Sequence, residues 1–253
     1  MSSSIAKAGI KGAVRKARKT LEPRQERSRE SLRKLLKAAA EVLGQHGVEG
    51  TTIPRIAHHA GLTPGAVYRR FHDKDALLES AILGILERQD ERLKTGLTGA
   101  TAAQIPLPVL AEQTIGGMVM AYRMNAPLLR AMRRFVQGRT RTPFWTKATR
   151  LEARAIGHVT DLFLTHRDEI RHPDPRGAVS LGLLMVVSTI YELVVTPLED
   201  PPAWKGLLPR DDQALKRELI RAFLRYLGAG EQPERPAKRQ GVDLESRAAR
   251  SAR

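Results

Sequence analysis

A chain of 253 residues is long enough for one or two domains with a substantial buried core. It has no cysteine, which excludes disulfides, thiolate metal sites and cysteine nucleophiles and makes a reducing cytoplasm the expected compartment. Its 43 Lys and Arg against 27 Asp and Glu leave a formal charge of +16, so an anionic polymer is the expected partner, nucleic acid first.

Residues 1–28 form a basic arm with Lys7, Lys11, Arg15, Lys16, Arg18, Lys19, Arg24 and Arg27 opposed only by Glu22 and Glu26. Large apolar residues are few there, so the arm is expected to be disordered when free. No apolar run follows the charges, which separates it from a secretory signal. A solvated tail and a DNA-tracking arm are both open readings.

Leu32, Leu35, Leu36, Ala39, Val42 and Leu43 recur at the spacing of one helical face, which predicts a helix over 31–47 closed by Gly44 and Gly47. Thr52 then offers an N-cap oxygen to a second helix, with Pro54 in its first turn and Ile53, Ile56, Ala57 and Ala60 inward. Gly61 ends it. Thr63 caps a third short helix whose inner side is Leu62, Val67 and Phe71, and Asp73 caps a fourth over about 75–94.

Two short helices across Gly61-Leu62 have the lengths and turn chemistry of a helix-turn-helix. The second carries the cations, and a helix of this kind enters the major groove with its N-terminal residues at the base edges. Thr63, Pro64, Gly65 and Ala66 are small enough for close approach. Arg70 lies about two turns on, where a guanidinium is suited to guanine O6 and N7, while Tyr68, Arg69 and Lys74 suit phosphate or thymine-methyl contact. The run TTIPRIAHHAGLTPGAVYRRFHDKDALLESA over 51–81 resembles the DNA-binding domain of the Tet repressor (TetR) family at Thr52, Ile56, Ala57, Gly61, Gly65, Tyr68, Phe71, Lys74 and Leu77. The resemblance spans about 29–94. It implies phosphate contacts by Thr52, Tyr68 and Lys74 and base-edge contacts around Pro64, Gly65, Ala66 and Arg70. The chain departs from the family where His is common at Arg70 and where Lys or Gln is common at Pro64, so its base preference is its own.

Further helices are predicted over 106–124, 126–138 and 143–170, with Asn125 and Thr142 as caps, each followed by a first-turn Pro. After the break HPDP, 176–196 is apolar nearly all round, which reads as a helix buried on two sides rather than a membrane span. A last helix over 211–227 carries Leu215, Leu219, Ala222, Phe223 and Tyr226 on one face. The resemblance implies that these two helices pair with those of a second copy, which assigns Leu183, Val187, Leu215, Leu219 and Phe223 to a dimer interface, with core packing alone as the alternative for each face.

No nucleotide-binding glycine loop, nucleophile elbow or His-Glu-x-x-His is present. Glu169-x-x-His172 has the spacing of a di-iron ligand pair but no second copy, and the adjacent His58 and His59 diverge on a helix. Met118, Tyr122, Phe135, Trp145, Phe163 and Met185 are candidate pocket residues, with plain core packing as the alternative. Glu192, set in the most apolar helix, has to be paired, protonated or at an edge, and is a further pocket candidate for a cationic or hydroxylated ligand, with an Arg, a Tyr or a partner chain as the alternative.

The expected fold is all-α: a disordered arm over 1–28, a three-helix helix-turn-helix DNA-binding domain over 29–75, a helical ligand-binding and dimerisation domain over 76–228, and a disordered tail over 229–253. The expected function is a homodimeric, ligand-released repressor on a palindromic DNA operator, cytoplasmic, with a partly apolar small-molecule effector, no cofactor, no metal and no membrane. The alternative is an all-helical enzyme or carrier with an incidental basic face.

Overall fold

A computed structural model describes residues 3–196, 208–209 and 211–229, with side chains from residue 26 onward; every regular element among them is helical. The first helix, α1 (Ser3–Gly50), is broken at Gly47, whose φ of 67° is a left-handed value that favours glycine. Its backbone is helical from Ser3, which differs from the disorder expected of the free arm. Its Ala, Lys and Arg content accounts for helical propensity there, and the arm's side chains up to residue 25 lie outside the described residues, as does the tail from 230 onward.

Then come α2 (Ile53–His59), α3 (Pro64–Tyr68) and α4 (Lys74–Thr95), started as predicted by the side chains of Thr52, Thr63 and Asp73. A four-residue α5 (Gly99–Ala102), capped by Thr98, was not predicted. Helices α6 (Leu107–Met124) and α7 (Ala126–Val136) meet at Asn125, but the expected cap there is not made. Asn125 Nδ2 instead donates to the Ala121 carbonyl at 2.7 Å, closing α6 rather than opening α7. Thr142 does cap α8 (Pro143–Phe163), which gives way to a 3-10 turn over Leu164–Glu169, six residues before the predicted end. Helix α9 (Pro175–Ile190) continues as a π turn over Tyr191–Val195, and α10 (Asp212–Tyr226) closes the described chain.

Two cores hold these helices. The first joins Leu35, Leu43, Ile56, Val67, Leu78 and Ile82 to Met132 and Phe135 of α7 and Phe144 and Ala148 of α8. The helix-turn-helix unit is therefore not sealed at residue 75: its hydrophobic floor continues through α4 into α7 and α8. Arg139 strengthens that join by donating to Asp75 at 2.6 Å while its guanidinium stacks 3.8 Å from the Phe135 ring centre. Asp90 of α4 similarly takes Arg154 at 2.8 Å and His158 at 3.2 Å, both from α8.

The second core comprises α5, α6, the C-terminal half of α8, α9 and α10, with Phe163 against Phe223 edge to face at 5.1 Å. Gly182 allows this packing, since a Cβ there would stand 2.8 Å from the Phe223 ring. The segment Pro175–Val195 is long and apolar enough to cross a membrane, and one side of it is buried in this core. Leu183, Leu215, Leu219 and Phe223 point into it too, at 1, 6, 8 and 2% exposure, so the side chains assigned to a dimer interface fill their own protomer. Val187 is half-buried. The outward apolar face of α9 consists of Leu181, Leu184 and Met185, 48, 48 and 45% exposed.

Candidate nucleic-acid interface and an adjoining cleft

Each short helix of the helix-turn-helix is fixed by a local device. Thr52 Oγ1 accepts from Arg55 N at 3.4 Å and Thr63 Oγ1 from Ala66 N at 3.3 Å, so both threonines satisfy otherwise orphaned helix donors. Gly61, at φ 67°, turns the chain between them, and Leu62 N closes the turn on the Ala57 carbonyl at 2.8 Å. Val67 is fully buried and anchors α3 from below. Thr63, Pro64 and Gly65 are consequently exposed together, and a Cβ at Gly65 would meet nothing within 4 Å. Tyr68, 56% exposed, and Arg69 stand beside them. Ala66 is half-buried, and Thr52 is exposed at the start of α2.

Two of the predicted contact residues are engaged within the protein. Arg70 Nη1 donates to Ser31 Oγ at 3.0 Å, and its Nη2 donates to the Ser28 carbonyl and hydroxyl at 3.3 and 3.2 Å. Lys74 Nζ donates to the Val48 carbonyl at 3.2 Å. The arginine thus ties the end of α3 to α1, and the lysine ties the start of α4 to the end of α1. Ser28 and Ser31 are the residues that sequence reasoning missed, because a pairing across 42 and 39 positions leaves no local periodicity. Arg27, Arg33 and Lys34 of α1, together with Glu26 and Glu30, line a groove beside Gly61 and Leu62.

A second concavity of about 560 Å³ lies between α4, α7, α8 and α9. Its floor is Ile82, Met132 and Ala148, all members of the first core beneath the helix-turn-helix, and its rim is polar. Of the predicted pocket residues only Trp145 and Glu192 line it. Phe135 and Phe163 are fully buried core, Met118 packs against the second core, and Met185 faces outward. Tyr122 sits behind, edge to face with the lining Tyr191 at 5.5 Å. Burial, with Tyr191 and Glu152 nearby, pushes the Tyr122 phenol up to about 12. Glu192 is exposed, the edge position among the three open to it. Glu152, which the sequence did not single out, is raised above the usual carboxylate range by burial, although its side chain keeps contact with solvent at the mouth.

Among the described residues no group of His, Asp and Glu is arranged to hold a metal ion. Glu169 instead bonds His166 Nδ1 at 2.8 Å, and His172 Nδ1 lies 3.1 Å from the Asp174 carbonyl and takes the Asp174 N–H at 3.2 Å.

Residues 35–81 match the sequence profile of bacterial regulatory proteins of the tetR family. No curated protein matches the chain in sequence. Solved structures share the fold: a chain from Mesorhizobium loti assigned to the TetR family of transcriptional regulators, at 21% identity and TM-score 0.54, covers 79% of this chain and 97% of its own. A bacterial regulatory protein in the tetR family from Rhodococcus RHA1 gives 17% identity and TM-score 0.56 over 79% and 98%. NalD of Pseudomonas aeruginosa, the secondary repressor of the MexAB-OprM multidrug efflux pump, gives 21% identity and TM-score 0.50 over 81% and 100%.

Proposed function

We propose that this chain, whose residues 35–81 match the profile of bacterial regulatory proteins of the tetR family, acts as a homodimeric DNA-binding repressor released from a palindromic operator by a small molecule. The observation that carries the reading is the shared floor: Ile82, Met132 and Ala148 line the cleft and also belong to the core beneath the helix-turn-helix. A ligand that repacks this floor acts on the elements that position α3, and by linkage DNA opposes ligand binding by the same factor. A repressor of the same fold, NalD, agrees with the direction of control.

DNA is met by the exposed end of α3, Thr63 to Gly65, with Tyr68 and Arg69 beside it and Thr52 at a neighbouring phosphate. Lys74 and Arg70 reach DNA only by leaving their partners in α1. Two such ends have to sit about 34 to 36 Å apart, or a multiple of that, to enter successive major grooves. The second copy docks on the outward face of α9, Leu181, Leu184 and Met185, beside Val187. Large apolar residues clustered on one exposed helix face are the mark of an interaction surface.

The test is genomic selection with the purified protein, followed by titration of the recovered duplex at several salt concentrations. An inverted repeat with a steep salt dependence supports the reading, because each phosphate contact contributes about 0.9 to the slope of log K on log salt. Equal affinity for random duplex overturns it in favour of an incidental basic face.

A further inference from the structure

The cleft carries a charge opposite to that of the chain around it. Its lining holds Glu152, Glu192 and one guanidinium, Arg133, on a protein whose formal charge is +16. Arg133 stands over one wall of the cleft, with its guanidinium carbon 5.4 Å from the centre of the Tyr191 ring, rather than against either carboxylate. Glu152 has no cation beside it among the described residues, and burial disfavours its charged form. It lines the cleft together with the indole of Trp145 and the phenol of Tyr191, over an apolar floor, and its side chain reaches solvent at the mouth, where an entering ligand would meet it.

On this geometry we propose that the cleft takes an organic cation with an apolar aromatic body, its charge held by Glu152 and its rings by Trp145 and Tyr191. A cation supplies what the carboxylate lacks, and aromatic faces attract positive charge through the ring quadrupole. An anionic amphiphile would meet two carboxylates and a guanidinium already stacked on a ring. The charge also keeps the two ligands of the protein apart: a cation is repelled by a basic DNA-binding surface and drawn to this acidic cleft, whereas an anion would compete with DNA across that surface. Glu192, exposed at the rim, attracts the cation at longer range and matters less. The inference rests on the cleft being the effector site.

Rhodamine 6G, a monocationic dye, and 1-anilinonaphthalene-8-sulfonate, an anionic one, test it by fluorescence titration of the full chain. Rhodamine 6G is expected to bind the tighter of the two. Glu152→Gln should weaken it about tenfold, the factor that corresponds to about 1.4 kcal/mol, and Trp145→Ala by a similar factor, with Glu192→Gln changing it less than threefold. A circular dichroism spectrum unchanged by Glu152→Gln shows that the loss is local. Tighter binding of the sulfonate, or rhodamine 6G bound equally by Glu152→Gln and the parent, overturns the proposal. Addition of each dye to the protein on its selected duplex separates the two layers. Glu152-dependent dye binding that leaves DNA bound supports the ligand class and overturns release, while release by the sulfonate alone does the reverse.

Discussion

Replacing Arg70 with Ala tests what this side chain does, because the structure gives it two incompatible tasks. As a base reader it is worth about 1 to 3 kcal/mol at one position per half-site. In the free protein, however, its guanidinium is committed to three hydrogen bonds with Ser28 and Ser31. All of these are solvent-exposed, so breaking them costs little each, and together about 1 kcal/mol. The net penalty of Arg70→Ala on operator binding is then at most about 2 kcal/mol, with loss of preference at a single base pair. The double variant Ser28→Ala, Ser31→Ala removes both hydroxyl acceptors but keeps the Ser28 carbonyl. If Arg70 reads a base, that variant binds the operator as tightly as the parent or slightly tighter, since less has to be released. The assay is fluorescence anisotropy on the selected duplex and on a library randomised one position at a time. Uniform weakening of every duplex by both variants would refute base reading and make Arg70 a strut that fixes α1 against α3.

Tyr68→Phe removes a hydroxyl suited to phosphate and should weaken operator and random duplex alike, by about 1 kcal/mol in the same anisotropy titration. Charge on the outward face of α9, as Leu184→Glu with Met185→Glu, should give folded monomers by light scattering, whereas Phe223→Glu, buried in its own protomer, should lose the cooperative melt altogether. Gly182→Ala drives a methyl to 2.8 Å from the Phe223 ring and should cost about 1 to 3 kcal/mol, a fall of several degrees in melting temperature. Burial raises the Glu152 carboxyl, so the folded chain holds that proton more tightly than the unfolded one. Its contribution to stability is complete below the unfolded pKa and fades as pH rises through the folded pKa. Glu152→Gln should therefore melt higher near neutral pH, by less than about 1 kcal/mol given the solvent at the mouth, and the difference should close as pH falls through the ordinary glutamate range.

What the sequence made legible was local. Thr52, Thr63 and Asp73 each cap a helix through the N–H three residues on, and the stripes of α1 and α4 need only a period of 3.6 to be recognised. Asn125 failed as a cap because its amide had a second use, the Ala121 carbonyl one turn back, and nothing in the residue order decides between the two. The early end of α8 is of the same kind: the apolar spacing runs on past Phe163, but Thr165 bonds the Leu162 carbonyl and His166 leaves helical geometry. The cleft was only partly visible. Trp145 and Glu192 line it, yet Phe135 and Phe163, equally aromatic and equally spaced, are sealed in the cores. Periodicity says that a side chain points inward, not whether the space it faces is filled. The outer face of α9 is the clearest case, since a helix apolar all round gives no preferred direction, and only the packing of α6, α8 and α10 shows which side is left over.

The π turn at Tyr191–Val195 has a consequence for how this chain tolerates changes in length. Such a turn is an α-helix carrying one residue more than its hydrogen-bond pattern accommodates; here Thr196 N reaches back five positions to the Tyr191 carbonyl at 2.9 Å, and Arg130 of α7 donates to the Val195 carbonyl at 3.1 Å. Loss of a single residue inside it would let the helix close in ordinary α form, turning everything on one side by about 100° relative to the other. Either Tyr191 and Glu192 would swing off the cleft wall, or Val194 and Val195 would leave the interior and Arg130 its acceptor. A deletion that the backbone would welcome is thus one the cleft and the α7 contact cannot both survive, so the spacing between Ile190 and Thr196 is fixed by two neighbours at once.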